Sequence, residues 1–404
     1  MKKIFVFLAV LLVSVSACKN PFLKKMLVED EKEIESPAPA TPANPGVPKP
    51  QLPKYTITFG VEGGTGGTLK AQVDGNEIHT GDSVEQGKTL VFTAKPAPDY
   101  VVEQWTKGGT VIGEAGTDTS YTYAVTADAD IKVKFQSLFV EGGASLILSP
   151  DKLDIEVTVT TADNSSVRIE GCTETELTSG TQTVLHAKGT RVILKGNIIK
   201  LDCFNNQLIA LNVQGLTALQ ELYCGSNQLT ALNVQGLTAL ERLYCFNNQL
   251  IALNVQGLTA LQELGCQDNQ LTALNVQGLT ALQTLWCYNN QLTVLNVQGC
   301  TALERLDCNF NQLTALNVQG CTALQELNCY GNRLTADAFK KLFDDLPHSD
   351  NATCSLYTEQ TGVTEGNHTD FSAPSDLADA FNNAKNNKKW KMYKINGRGH
   401  WVEI

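Results

Sequence analysis

Leu219-Gln-Glu-Leu-Tyr-Cys-Gly-Ser-Asn-Gln-Leu-Thr-Ala-Leu-Asn-Val-Gln-Gly-Leu-Thr-Ala239 decides the fold, because the chain repeats it: units of 21 residues begin at 198, 219, 240, 261, 282, 303 and 324. Such a unit cannot bury its apolar side chains alone, so successive units must stack as turns of a coil. Within Leu219 to Cys224 the alternation predicts a short strand whose Leu and Cys point inward while the residues between them point out. Stacked copies lie about 4.8 Å apart. Seven cysteines (Cys203, Cys224, Cys245, Cys266, Cys287, Cys308 and Cys329) recur at the same 21-residue spacing. That is the behaviour of a repeat position and not of paired staples. One thiol per rung also makes a line, which is no arrangement for the four converging ligands of a zinc site. Buried, reduced thiols packing as small apolar fillers are therefore expected.

The opening Leu-x-x-Leu-x-Cys-x-x-Asn-x-Leu resembles the leucine-rich-repeat signature. Each unit also holds a second half, Leu-Thr-Ala-Leu-Asn-Val, which looks like the 21-residue bacterial class with two leucine-rich halves per turn. The resemblance implies short parallel strands on both sides of a flattened coil. Comparing the units shows which outward positions vary. Second halves are nearly uniform, with Asn212, Asn233, Asn254, Asn275, Asn296 and Asn317 each followed by Gln two residues on. First halves change at every turn: Asp202, Tyr223, Tyr244, Gly265, Trp286, Asp307 and Asn328, then Phe204, Gly225, Phe246, Gln267, Tyr288, Asn309 and Tyr330. Variation on one face, rich in outward aromatics, is the pattern of a recognition surface. Phe204, Tyr223, Tyr244, Phe246, Trp286, Tyr288 and Tyr330 are thus the candidate ligand-binding face. The competing reading is that these rings only cover neighbouring rungs, since cross-strand aromatic pairs stabilise a sheet by roughly 0.2–1 kcal/mol each. Seven rungs offer roughly 400 Å², about half of what one partner contributes to a standard interface, which suggests weak or multivalent contact. The Asn at 206, 227, 248, 269, 290, 311 and 332 sits at the strand-to-turn bend, where its amide serves backbone groups of adjacent turns.

No constellation points to catalysis. Gly81-Asp82-Ser83 lies in a polar turn with no suitably placed Asp-x-x-His after it, and the histidines at 79, 186, 348, 368 and 400 share no ligand spacing. Asp128-Ala-Asp130 lacks the further oxygens of a calcium loop. No Gly-rich phosphate loop is present. The expectation is a non-enzyme with no cofactor, no metal and no small-molecule substrate. With 42 Asp and Glu against 31 Lys and Arg, net charge −11, the chain also lacks the basic character nucleic acid requires.

The ends place the repeat in a cell. Met1-Lys2-Lys3 followed by the apolar Ile4 to Val13 reads as a secretory signal peptide over 1–17. Val15-Ser16-Ala17-Cys18 resembles the lipobox of bacterial lipoproteins, which implies that Cys18 becomes the lipidated N-terminus. Residues 18–54, with prolines at 21, 37, 39, 42, 45, 48, 50 and 53, read as an extended tether. From 55 to 137, short alternating runs such as Tyr55-Thr-Ile-Thr-Phe59 and Ile131-Lys-Val-Lys-Phe135 between Gly-rich turns predict a small antiparallel β domain. It resembles the divergent B-repeat, β-grasp-like modules of bacterial surface proteins. Residues 138–197 keep the alternation and would cap the first rung, 198–335 are the repeats, and 336–404 read as an α/β cap. In that cap, helices are expected over Ala336 to Leu346 and Ser375 to Lys385, with strands at Cys354 to Tyr357 and Trp390 to Ile395. The fold class is therefore mainly β: a β-grasp-like domain, a leucine-rich-repeat parallel solenoid and an α/β C-terminal cap. Together these features resemble spirochaete leucine-rich-repeat surface lipoproteins. The resemblance implies a lipid-anchored outer-membrane protein that engages host or bacterial surface proteins or glycans. A structural envelope protein facing the periplasm, associating with itself or with peptidoglycan, is the alternative.

Overall fold

Leucines at a fixed 21-residue spacing generate the main sheet of the protein. The computed structural model describes residues 51–97 and 99–404; the expected signal peptide, Cys18 and most of the tether lie outside the described residues. The outward-variable half-units form strands Glu221–Tyr223, Arg242–Tyr244, Glu263–Gly265, Thr284–Trp286, Arg305–Asp307 and Glu326–Asn328, parallel and in register. Their inward Leu222, Leu243, Leu264, Leu285, Leu306 and Leu327 are buried in one continuous apolar core with the ladder cysteines. The fold is thus a mainly β leucine-rich solenoid.

The sheet does not stop at the repeats. Ile198–Asp202 pairs in parallel with Glu221–Tyr223 on one side and antiparallel with Asp154–Thr161 on the other, and Gln182–His186 forms the edge beyond it. At the far end Thr353–Thr358 and Lys391–Ile395 add two parallel strands and Trp401–Glu403 closes antiparallel, making twelve strands in all. Helices Ala336–Asp345 and Ser375–Asn386 accompany these last strands. Thr335 caps the first, its Oγ1 accepting from Ala338 N at 3.2 Å, and Phe339, Leu342 and Phe343 turn into the core. The strand Trp401–Glu403 carries no sequence signal beyond an exposed Trp and Val.

Short parallel strands occur on the second side as well, but their pairing there is sparse. Leu208–Asn212 pairs antiparallel with Gly143–Leu148, and among the described residues the one parallel strand pair on this side joins Ala273–Asn275 to Val294–Asn296, with one bridge from Asn296 to Asn317. The amide side chains explain why. Asn233 Oδ1 accepts from Gln235 N at 3.1 Å, a local turn that competes with strand geometry. Gln214 Nε2 then donates to Asn233 O at 3.0 Å, and Gln235 Nε2 to Asn254 O at 2.9 Å. Glutamine side chains thus take the carbonyls that a backbone ladder would use.

Residues 54–137 form two sheets, and a further five-stranded sheet is built from the segment between them and the repeats, with Glu176–Leu177, Val167–Glu170, Arg191–Lys195 and Gly143–Leu148 joined by Leu208–Asn212 of the first repeat. Of the first two, one has the order Asp82–Glu85, Lys54–Val61, Ala129–Ser137, Tyr100–Lys107 and Thr110–Val111; the other holds Asn76–Ile78, Gly67–Val73, Thr89–Pro96 and Ser120–Ala124. The 54–137 region is not purely antiparallel as expected: Lys54–Val61 and Ala129–Ser137 run parallel at its centre. Alternation reveals strands but not their pairing direction. Trp105, Phe92, Ile57 and Ile131 are fully buried between the sheets, and Trp105 Nε1 donates to Asp118 O at 2.8 Å. A Cβ at Gly67 would come within 2.5 Å of Lys95 O, so the Gly-rich turn is required by close packing. Asp99 joins this region to the solenoid: its carboxylate accepts from Asn212 Nδ2 at 2.7 Å and Asn233 Nδ2 at 3.1 Å.

Candidate recognition face

The sheet register sets side chains in rows across the outward face. Tyr223 stands beside Tyr244, Tyr244 beside Gly265, Gly265 beside Trp286, and Trp286 beside Asp307. The Tyr223 and Tyr244 rings stack with centroids 5.1 Å apart at 9°. Tyr244 also reaches Trp286 at 6.1 Å, passing over the intervening rung because Gly265 has no side chain; a Cβ there would lie 2.8 Å from the Tyr244 ring. The second row repeats the device. Phe204 and Phe246 are 5.8 Å apart across Gly225, whose Cβ would meet the Phe246 ring at 3.0 Å. The two glycines among the variable positions are therefore complements of the aromatics and not gaps in the pattern.

Flanking these rings is a row of charges that sequence reading passed over. Glu221 binds Lys200 at 3.1 Å and Arg242 at 2.7 Å, and Arg242 reaches Glu263 at 3.3 Å. These carboxylates also accept from the phenols, Glu221 from Tyr223 at 3.0 Å and Glu263 from Tyr244. Burial and the Glu221 contact push the Tyr223 hydroxyl up to about 12, and burial with the Glu263 contact raises Tyr244, so both stay neutral. The sign alternates at 21-residue steps through Lys200, Glu221, Arg242 and Glu263, and after the neutral Thr284 resumes at Arg305 and Glu326, a signal present in the sequence.

Beyond Trp286 the face becomes polar. Burial pushes the Asp307 carboxyl up to about 6, partly offset by hydrogen bonding from Asn309. Tyr288 is half-buried, and Tyr330 packs edge-to-face on Phe310 at 5.2 Å. Phe310 was not anticipated. It sits at φ +49°, where the equivalent Asn205, Ser226, Asn247, Asp268 and Asn289 are residues that tolerate a left-handed backbone. Only Phe204 of the expected rings is classed as exposed, at 44 %; the others are half-buried against one another. The structure therefore brings Phe204, Tyr223, Tyr244, Phe246 and Trp286 together and leaves Tyr288 and the Tyr330 pair farther along the same face.

Where Asp154–Thr161 and Gln182–His186 meet the first parallel rungs, a groove of about 530 Å³ opens over this cluster. Its lining includes Phe204, Tyr223, Gly225, Tyr244 and Phe246 with Asp154, Glu156 and Asp202. That volume is in the range of ligand clefts, ~300–1,000 Å³.

The bend asparagines are internal. Asn227 Oδ1 accepts from Asn206 N at 3.0 Å and Leu208 N at 2.9 Å, while its Nδ2 faces the carbonyls of Cys203, Cys224 and Gly225 at 3.0–3.2 Å. Asn248, Asn269, Asn290, Asn311 and Asn332 repeat the pattern. Asn367, outside the 21-residue register, continues it by accepting from Leu334 N at 2.8 Å. All eleven described cysteines are free and buried, and burial raises the ladder thiols. Among the described residues, no group of three or more His, Cys, Asp or Glu is arranged to hold a metal ion.

Two family matches accord with this geometry. Residues 55–138 match the Divergent InlB B-repeat domain, and residues 280–320 match Leucine Rich repeats (2 copies). The chain carries leucine-rich repeats behind a divergent InlB B-repeat domain. Neither is an enzyme family, and both point to a protein-interaction role at a bacterial surface. A solved structure of the functional domain of InlJ from Listeria monocytogenes, which includes a cysteine ladder, is 24% identical over 43% of this chain and 52% of that one, with a TM-score of 0.25. The chain thus spans about half the length of that solved relative. No curated protein sequence is significantly similar to the chain.

Proposed function

We propose that the protein is a lipid-anchored surface binding module, displayed on the bacterial outer membrane, whose aromatic sheet face engages a host or bacterial surface protein or glycan. The observation that carries this reading is the contrast between two faces of one coil. On the amide side, Asn and Gln are consumed by contacts within the protein, including the Asp99 clamp. On the other, side chains change from rung to rung, large rings are grouped, and a groove stands open above them. A packing requirement alone would repeat one residue, as it does for Leu and Cys.

The extended sheet also relaxes the size limit set by seven rungs. Twelve strands spaced about 4.8 Å apart, with about 13 Å of strand, offer roughly 750 Å². That is close to the ~800 Å² each partner contributes to a standard interface.

Two experiments on whole cells test the reading. Cys18→Ala should move the protein from the detergent phase to the aqueous phase, because that thiol is the only lipid acceptor in the lipobox. Proteinase added to intact cells should remove the folded region. Its survival, with digestion only after the outer membrane is opened, would overturn display at the surface and favour a periplasm-facing structural role.

A further inference from the structure

The groove at the N-terminal end of the aromatic face differs from the rest of that face in its charges. Along the neighbouring row, Glu221 and Glu263 are neutralised by Lys200 and Arg242. Asp154, Glu156 and Asp202 line the groove, and among the described residues none of them forms an ion pair with Lys, Arg or His. The register explains their convergence. Glu156 lies opposite Val184, and Thr158 between Gln182 and Asp202, so Glu156 and Asp202 come from adjacent strands on one face. The one lysine in the lining, Lys152, is turned away to a backbone carbonyl, its Nζ donating to Asn205 O at 2.7 Å. Asp202 spends one oxygen on Phe204 N at 3.1 Å, which leaves the other for the groove.

The rings supply the second half of the chemistry. Phe204 and Phe246 tilt together at 5.8 Å, Tyr223 and Tyr244 stack at 5.1 Å, and Gly225 keeps the space between the rows clear. A cation is already seated on one of these rings: Lys200 Nζ is 4.8 Å from the centroid of Tyr223. Aromatic faces attract cations through their quadrupole, and carboxylates at the rim add both charge and acceptors. A neutral sugar would use the rings and draw on the carboxylates only as acceptors, whereas a cation engages the rings and the charge together. An acidic segment would be repelled.

We propose that this groove receives an arginine- or lysine-bearing loop of a partner protein, with the cationic side chain over the Phe204–Phe246 rings, beside the Tyr223–Tyr244 stack, and its charge met by Asp154, Glu156 and Asp202. The proposal rests on the recognition reading above and narrows it, from a protein or glycan partner to a basic protein segment at one end of the face. Because guanidinium is planar, stacks well and is weakly hydrated, arginine is favoured over lysine.

Fluorescence anisotropy on the full chain carrying Cys18→Ala tests this with stated probes: labelled nona-arginine, nona-lysine, nona-glutamate and a neutral chito-oligosaccharide. Nona-arginine is expected to bind saturably and more tightly than nona-lysine, with no binding of the other two. Asp154→Asn, Glu156→Gln and Asp202→Asn together should weaken it at least about tenfold, as removal of charge-assisted contacts requires. Phe204→Ala with Phe246→Ala should weaken it about fivefold at unchanged net charge, the loss of one exposed cation–π contact, which separates the groove from general attraction to an acidic protein. Asn275→Ala, on the amide side of the coil and exposed there, serves as the folded control and should leave nona-arginine affinity unchanged. Equal affinity in the groove variants and the wild type would overturn the proposal, as would binding of the oligosaccharide in place of the peptide. Should nona-arginine fail to bind while Trp286→Ala still abolishes attachment to a surface protein or glycan, the groove assignment falls and the recognition reading stands.

Discussion

Replacing Asn269 with Ala should open the solenoid at its centre, and the size of the effect follows from four hydrogen bonds. Asn269 is 8% exposed, its Oδ1 accepts from Leu250 N at 3.0 Å, and its Nδ2 faces Cys245 O, Cys266 O and Gln267 O at 3.1, 3.1 and 3.2 Å. Truncation leaves the buried Leu250 N–H and the Cys245 and Cys266 carbonyls unsatisfied, while Gln267 O keeps the Asn247 N–H at 3.0 Å. An orphaned buried group costs ~1–3 kcal/mol, so the total is about 3–5 kcal/mol, of the same order as the whole stability of many domains. In a stacked repeat the loss falls on two neighbouring rungs, so the unfolding transition should broaden as well as shift. The control is Asn275→Ala. That side chain is exposed and its Oδ1 serves only Gln277 N at 3.1 Å, so the cost should stay below about 1 kcal/mol. Urea unfolding followed by circular dichroism, with hydrogen exchange read at the Leu250 amide, compares the two. Equal losses, or protection of Leu250 unchanged in Asn269→Ala, would refute the assignment of the asparagine ladder as the bracing of the coil.

Two further outcomes follow from the buried groups. Asp307 has a folded pKa of about 6, raised by burial above the ordinary 3.8, so the native state binds a proton that the unfolded chain does not. Stability should therefore fall as pH rises from about 4 to 6, by the order of 2–3 kcal/mol, and Asp307→Asn should abolish that slope; an unchanged slope contradicts the burial argument. The thiols should be inert: alkylation of native protein should be slow, since burial pushes Cys245 up to about 12 and Cys172 to about 11, and all eleven cysteines outside the lipobox should react after denaturation without reductant. Protection of several by oxidation, or stoichiometric zinc, would show that the ladder is more than packing.

What could be read from the sequence depended on whether the repeat itself recorded it. Leu222, Cys224 and Asn227 recur unchanged because each rung makes the same inward contact, and the comparison of units exposed them directly. The outward rings were legible by the same comparison in reverse. Side-chain reach was not: that Tyr244 crosses Gly265 to touch Trp286 depends on a neighbour's missing Cβ, which no single position announces. The sparseness of pairing on the second side was not legible, because Leu-Thr-Ala-Leu-Asn-Val has strand periodicity while its Asn and Gln amides satisfy the backbone locally. Asn367 was missed because it reaches its rung from the cap and not from the period. The groove lies between residues far apart in the chain, such as Glu156 and Phe246, and became visible only when the register joined them.

The central claim is that the aromatic face binds and does not merely pack. The direct test replaces Tyr223, Tyr244, Phe246, Trp286 and Tyr288 with Ser in the full chain and measures binding to immobilised extracellular-matrix proteins and a glycan array, beside Asn233, Asn254 and Asn275 replaced with Ala. The leucine and cysteine core is untouched by the first set, so its circular dichroism should match wild type while its binding is lost, and the amide variant should bind as the wild type does. Undiminished binding by the aromatic variant, or collapse of its dichroism, would show that the rings serve the fold and would contradict the account.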